Sequence, residues 1–271
     1  MSLQSQNMSE LILKTQGLAK SFLGLQALQD FTIAVNANEI LGLIGPNGAG
    51  KTTCFNLLTG FLVPTAGRIH FKGGDITGWP PAKIARLGLA RTFQNIRVFN
   101  SLSVLENVMA AAQLRTHFSL GELFLSTPGF RRKEVQVTDR AYELLELLGL
   151  SEYANRAAAS LPYAHQRRLE IARALATEPQ LLLLDEPAAG MNPAESDSLH
   201  QLILDLRARF QLTILLVEHD MRLVMNLCER IIVLNYGKII AEGRPDAVRA
   251  DPQVIAAYLG QDRSQIEVTR A

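Results

Sequence analysis

The sequence predicts an α/β protein, a strand-and-helix core with a helical subdomain inserted into it. Three observations carry this. Strands and helices alternate at both ends of the 271-residue chain. An apolar strand, Ile40–Ile44, runs through a glycine-rich loop into a helix that reaches Leu58. Between the two alternating stretches lies a block, about residues 95 to 178, in which apolar residues recur at helical spacing.

Taken in order, "DFTIAVNANEILGLIG" gives an alternating strand, Phe31 to Val35, before the strand at 40–44. "GRIHFKGGDI" is a strand ending in a Gly-Gly turn, "PPAKIARLGL" a helix opened by proline, and "LARTF" a short strand. "SLSVLENVMAAAQLR" is a helix with Ser103 or Ser101 as N-cap and Glu106 in its first turn. Thr116 to about Arg132 breaks the pattern, and Arg131, Arg132 and Lys133 are expected in a solvated loop. A long helix is expected from about Glu134 to Leu148, stopped by Gly149. "SLPYAHQRRLEIARAL" is helical from Arg168 onward, with a start that Pro162, Tyr163, Ala164 and His165 fill poorly. There follow a buried strand "QLLLLDEP", a helix from Glu195 to Phe210, the strand "TILLV" and a short helix from Asp220. A hairpin across "NYGK" and two small helices near Pro245 and Pro252 close the chain.

Composition narrows the class of function. Hydrophobic residues make up 48% and charged residues 20%, enough for an ordinary core. The net charge of +1 gives no field for general nucleic-acid attraction. Cys54 and Cys228 lie in apolar-periodic contexts and read as buried thiols in a reducing compartment, not as a disulfide or metal site. The N-terminus lacks a basic-then-apolar signal pattern. No apolar run reaches the roughly 18 residues of a membrane span, so any membrane role is expected to come through a partner.

Two motifs carry chemistry. "GPNGAGKT", Gly45 to Thr52, fits G-x-x-x-x-G-K-[ST] in the strand–loop–helix setting that the motif requires. Such a loop wraps phosphate oxygens with backbone amides at a helix N-terminus. Lys51 is then expected to reach the β- and γ-phosphates, and Thr52 to ligate magnesium. "LLLLDEP", Leu181 to Pro187, is an apolar strand ending in two carboxylates. Asp185 suits the magnesium shell, directly or through water, and Glu186 suits polarising an attacking water as general base.

In order and spacing these motifs resemble the nucleotide-binding subunit of an ABC transporter, over about residues 10 to 260. The resemblance implies a P-loop ATPase core with an antiparallel β subdomain, the helical subdomain at 95–178 and a tail at 261–271. It implies ATP and Mg2+ as ligands and a phosphate loop of Gly45, Pro46, Asn47, Gly48, Ala49, Gly50, Lys51, Thr52 and Thr53. Gln94, after "RTF", matches the glutamine that senses magnesium and contacts the membrane subunit. His219 in "LLVEHD" matches the switch histidine near the γ-phosphate, and Phe22 in "KSFLGLQAL" the aromatic that stacks on adenine. Taken alone, these three read as a loop-capping amide, a surface histidine and a core aromatic.

The resemblance also gives the awkward helix start a place. It matches the signature segment, usually Leu-Ser-Gly-Gly-Gln, whose helix points at the γ-phosphate held by the other subunit of a dimer. This chain keeps the leucine and the Gln-Arg-Arg-Leu tail and departs at Pro162, Tyr163, Ala164 and His165. Pro162 has neither hydroxyl nor N–H, and Ala164 adds a Cβ where bare backbone would approach. The aromatic signature, "DEPAAG-x-NP" from Asp185 to Pro193, "TFQNIRVF", the 116–133 insert and the ending "AAYLG" resemble the longer ATP-binding subunit of branched-chain amino-acid importers. That resemblance implies a related, shorter ATPase chain as partner, transmembrane permease subunits, a periplasmic binding protein upstream and a seat on the cytoplasmic membrane face. It implies no nucleic-acid partner. The motifs alone leave open urea, amide or lipid cargo, a soluble non-transport ABC ATPase, and a catalytically idle regulatory subunit.

Overall fold

The computed structural model describes residues 10–115, 128–219 and 221–258. Residues 116–127 of the expected insert, Asp220 and the tail after residue 260 lie outside the described residues. The chain divides into two units, Met1–Pro80 with Arg207–Ala271, and Pro81–Leu206.

The first unit contains two sheets. One is antiparallel, ordered β2 (Leu25–Phe31), β1 (Leu11–Phe22), β5 (Ala66–Phe71), β6 (Gly74–Asp75), with β3 (Ala34–Asn36) also paired to β1. Sequence reading missed β1 and β2. The alternation of β1 is broken by Gly17, at φ 58°, and by register shifts around Ala19 and Lys20, so its period of two is not continuous. The expected single strand from Phe31 to Val35 is also corrected. Phe31, Ile33 and Val35 are all buried as alternation requires, but the ladder breaks between β2 and β3. Buried Thr15 fills the break: its hydroxyl donates to Phe31 O (2.8 Å) and accepts from Ile33 N (3.0 Å).

The other sheet contributes β11 (Lys238–Gly243), β10 (Arg230–Asn235), β4 (Ile40–Ile44) and β9 (Thr213–Val217) in that order. β10, β4 and β9 are parallel, and β4 and β9 are buried at every residue. This is the continuous apolar pattern of strands covered on both faces. The chain leaves β4 through the glycine loop into α1 (Lys51–Leu58), and leaves β9 towards His219. α7 (Met221–Leu227), α8 (Pro245–Ala250) and a helix at 252–258 complete the unit.

The second unit pairs β7 (Leu89–Arg91) and β8 (Leu181–Asp185) in parallel. It holds α2 (Pro81–Leu87), α3 (Val104–Ala112), α4 (Pro128–Leu147), α5 (Tyr163–Ala176) and the body of α6 (Pro193–Phe210). α3 packs on both α4 and α5, and Val104, Val108, Ala141, Leu144, Leu145, Leu169 and Ala172 on these helices are buried. Ser103 starts α3 with a capping box, Glu106 N donating to Ser103 Oγ (3.1 Å) and Ser103 N to Glu106 Oε2 (2.7 Å).

Three boundaries differ from expectation. α4 begins at Pro128, not near Glu134, so Arg131, Arg132 and Lys133 lie on a helix; the two arginines are exposed there. Proline lacks an N–H that the first helical turn does not use, so Pro128 is compatible with a place in the first turn of this helix. α5 starts at Tyr163, five residues before the stripe that announced it. α6 starts at Pro193 because Asn192 and Glu195 cap each other: each backbone N donates to the other's side-chain oxygen at 3.0 Å. Cys54 and Cys228 are both buried, as expected.

Candidate active site

The site residues expected from the sequence divide between the two units. Phe22, the loop from Gly45 to Thr53 and His219 belong to the first; Gln94, Asp185 and Glu186 belong to the second.

The glycine loop is held from behind. Gly237 N donates to Ala49 O (2.9 Å), and Gln29 N to Gly237 O (2.8 Å), which ties the loop to the β10–β11 turn and to β2. A Cβ on Gly45 would stand 2.0 Å from Leu234 O, and one on Gly50 2.6 Å from Ala27 O, so only bare backbone fits at either place. Pro46 and Ala49 are buried, while Asn47 and Gly48 are exposed. Lys51 is 8% exposed, and its ammonium donates to Gly45 O (2.6 Å) and Pro46 O (3.0 Å). The lysine therefore lies along the inside of the loop that it follows. α1 has no side-chain cap and no acidic residue in its first turn. First-turn amides have no acceptor inside a helix, and the dipole there favours an anion. Thr52 is exposed and Thr53 half-buried at this end.

Phe22 ends β1 with 42% of its surface exposed, so it is not a core aromatic. The Lys20 ammonium lies 5.2 Å from its ring centre. His219 is also exposed, and its backbone N donates to Glu218 Oε2 (3.2 Å), a carboxylate that is itself buried.

In the second unit Asp185 is buried at the end of β8 and paired with Arg91 at 2.7 Å, both side chains about 5% exposed or less. Glu186 sits at φ 47°, a left-handed conformation that non-glycine residues adopt rarely and at a cost. Gln94 Nε2 donates to Glu186 Oε2 at 2.9 Å, so two residues chosen separately from the sequence meet.

Several residues that sequence reasoning passed over surround this pair. Arg167, fully buried, donates through Nη1 to Phe93 O (2.6 Å) and Glu170 Oε2 (2.8 Å). Its Nη2 donates to Gln94 O (2.8 Å) and Tyr163 Oη (3.1 Å). Glu170 Oε1 accepts from Phe93 N (3.0 Å) and Arg97 N (3.4 Å). Burial pushes the Glu170 carboxyl above the usual range, against the Phe93 amide and the Arg167 guanidinium, which pull it down. The available signal was the spacing of Arg167 and Glu170, three apart on a helix and on its apolar side. Arg91, opposite Asp185, left no such signal.

Within the first unit the loop amides, the Lys51 ammonium and the Thr52 hydroxyl are groups of the kind that meet phosphate; within the second, the Asp185 carboxylate is paired with Arg91. Among the described residues no three His, Cys, Asp or Glu side chains gather into a metal cage. Magnesium is ordinarily held by one or two protein oxygens together with substrate phosphate and water.

A strand–glycine loop–helix with a buried lysine, in a unit of two sheets, beside a second unit rich in helix along the chain, defines a class of protein, and comparison with known proteins agrees. The family described as "ABC transporter" matches residues 28–189, and this chain belongs to it. It is an ATP-hydrolysing cassette of the kind that works with transmembrane permease subunits. A second family, described as "Branched-chain amino acid ATP-binding cassette transporter", matches residues 238–264. The high-affinity branched-chain amino acid transport ATP-binding protein LivG of Escherichia coli is 48% identical over 94% of this chain and 100% of its own length. BraF of Pseudomonas aeruginosa, described in the same words, is 48% identical over the same shares. The crystal structure of the ADP conformation of an ATP-binding cassette of an ABC transporter superposes with a TM-score of 0.80 at 35% identity, covering 92% of this chain and 99% of that one. Among the described residues no helix is long and apolar enough to cross a membrane.

Proposed function

We propose that this chain energises an importer of branched-chain amino acids from the cytoplasmic face of the membrane. The phosphate loop is common to cassettes of every cargo, so it cannot choose among them. The observation that carries the cargo is the likeness of residues 238–264 to the branched-chain family, joined to full-length likeness to two such cassettes. On this reading residues 10–260 form one ATPase cassette with the 95–178 helical subdomain inserted, followed by the tail at 261–271.

The site roles follow from chemistry. The amides from Gly45 to Thr53 bind phosphate oxygens at the uncapped start of α1. The Lys51 ammonium turns from the carbonyls of Gly45 and Pro46 to the β- and γ-phosphates. Thr52, Asp185 and Gln94 would hold Mg2+, which would supply positive charge against the phosphate oxygens. Phe22 offers an exposed ring face to adenine. His219, exposed after β9, is assigned to the γ-phosphate. Glu186 takes the proton of the attacking water, with its carboxylate oriented by the Gln94 amide. The partners are a related, shorter ATPase chain, two permeases and, indirectly, a periplasmic binding protein. In that pair each signature helix completes the site on the other chain, and the start of α5, without a side-chain cap, supports an anion there.

The test is uptake. Proteoliposomes carrying the assembled complex, with ATP inside and binding protein outside, should accumulate labelled leucine, isoleucine or valine. Uptake of urea or an amide, with none of these three, would contradict the cargo.

A further inference from the structure

Tyr163 stands where the usual signature has its first glycine, and the structure gives its side chain two contacts that a glycine cannot make. Its hydroxyl accepts from Arg167 Nη2 at 3.1 Å. Its ring lies against Gly190: a Cβ built there would come 3.4 Å from Tyr163 Cε1 and 3.7 Å from Cζ. Gly190, at φ 78°, belongs to the segment that carries Glu186. Two turns join them, Ala189 N donating to Glu186 O (3.2 Å) and Met191 N to Ala188 O (3.1 Å).

The contacts close into a circuit. Glu186 accepts from the Gln94 side chain at 2.9 Å. The Gln94 carbonyl accepts from Arg167 at 2.8 Å. Arg167 is fixed by the Glu170 carboxylate and Phe93 O, and itself donates to Tyr163. Tyr163 then meets Gly190, and the turns return to Glu186. The guanidinium is planar and has four oxygens in reach, so displacing any one moves the others.

We propose that Tyr163 is a positioning residue for hydrolysis, bracing from the signature helix both the Gln94 backbone and the loop that carries Glu186. It touches neither the proton nor the phosphate. It limits the freedom of the base and of the amide that orients the base. This rests on the reading of Glu186 as the base.

The test is Tyr163→Phe in the assembled transporter, which removes the hydroxyl and keeps the ring on Gly190. Turnover should fall roughly three- to tenfold, with KM for ATP within about twofold, because a misplaced base slows the chemical step without weakening ground-state binding. Gln94→Ala cuts the circuit at Glu186. In that background Tyr163→Phe should add no further loss, since the Gln94 backbone then has nothing to position. Unchanged turnover in Tyr163→Phe, a loss confined to KM, or two losses that multiply in the double variant would each overturn the proposal. Glu186→Gln, run alongside, separates the two readings. Normal hydrolysis there would overturn the base assignment itself, whereas a dead Glu186→Gln beside a normal Tyr163→Phe would overturn the positioning role alone.

Discussion

Glu186→Gln isolates proton acceptance from everything else that the side chain does. Glutamine has the same shape, and its Oε1 can still accept from Gln94 Nε2, which stands 2.9 Å from the carboxylate. The left-handed backbone at φ 47° is unchanged by the swap. Glu186 is half-buried, so a neutral isostere there should shift stability by no more than about 0.5 kcal/mol. What disappears is the base, and positioned general bases contribute about 10²- to 10⁴-fold. At about 1.36 kcal/mol per decade this is roughly 3–5 kcal/mol of activation free energy. Phosphate release by the assembled complex at saturating ATP-magnesium should fall by that factor. Filter binding should show ATP retained, and size exclusion should show an ATP-bound dimer that persists. Turnover within tenfold of wild type, or loss of ATP binding, would refute the assignment.

Two predictions concern the sheet beneath the phosphate loop. A Cβ on Gly42 of β4 would fall 2.9 Å from Cys228 Sγ and 3.4 Å from Val224 Cγ1. Gly42→Ala should therefore cost about 1–3 kcal/mol in chemical denaturation, and Cys228→Ala should recover part of that loss; independent, additive losses would show that the thiol is not the obstacle. Burial pushes the Cys228 thiol up to about 12 from its ordinary value near 9.0. Between those values the unfolded chain releases a proton that the native chain keeps, so stability should fall as pH rises from about 9 to about 12. The slope is about 1.36 kcal/mol per pH unit at most, and it should be absent from Cys228→Ala. Identical alkaline slopes for the two proteins would contradict it.

Where the signal is local, the sequence was readable. The phosphate loop needs a strand, glycines and a helix start in succession, and all are adjacent in the chain. The same holds for the start of α3, where the two serine candidates resolve to Ser103, and for the apolar strands β4, β8 and β9, whose every residue is buried. What escaped depends on residues far apart. β1 hides its alternation behind register shifts that become clear only beside β2 and β5. The pairing of Arg91 with Asp185 spans 94 positions, and the hold of Arg167 on the Phe93 and Gln94 carbonyls spans 74 and 73. Tyr163 looked like a defect in a glycine signature because Gly190, against which its ring lies, is met only in the folded chain. Pro128 misled for a different reason: proline breaks a helix in the middle and suits one at the start, and the flanking sequence did not say which.

The central claim is that this chain hydrolyses ATP through its own phosphate loop. Its most direct test is the steady-state ATP turnover of the assembled complex with Lys51→Ala in this chain alone. Removing the ammonium that now spans Gly45 O and Pro46 O takes away the positive charge assigned to the transferring phosphate. ATP binding by this chain should weaken, and turnover should fall below about a tenth of wild type. Turnover close to wild type would contradict it.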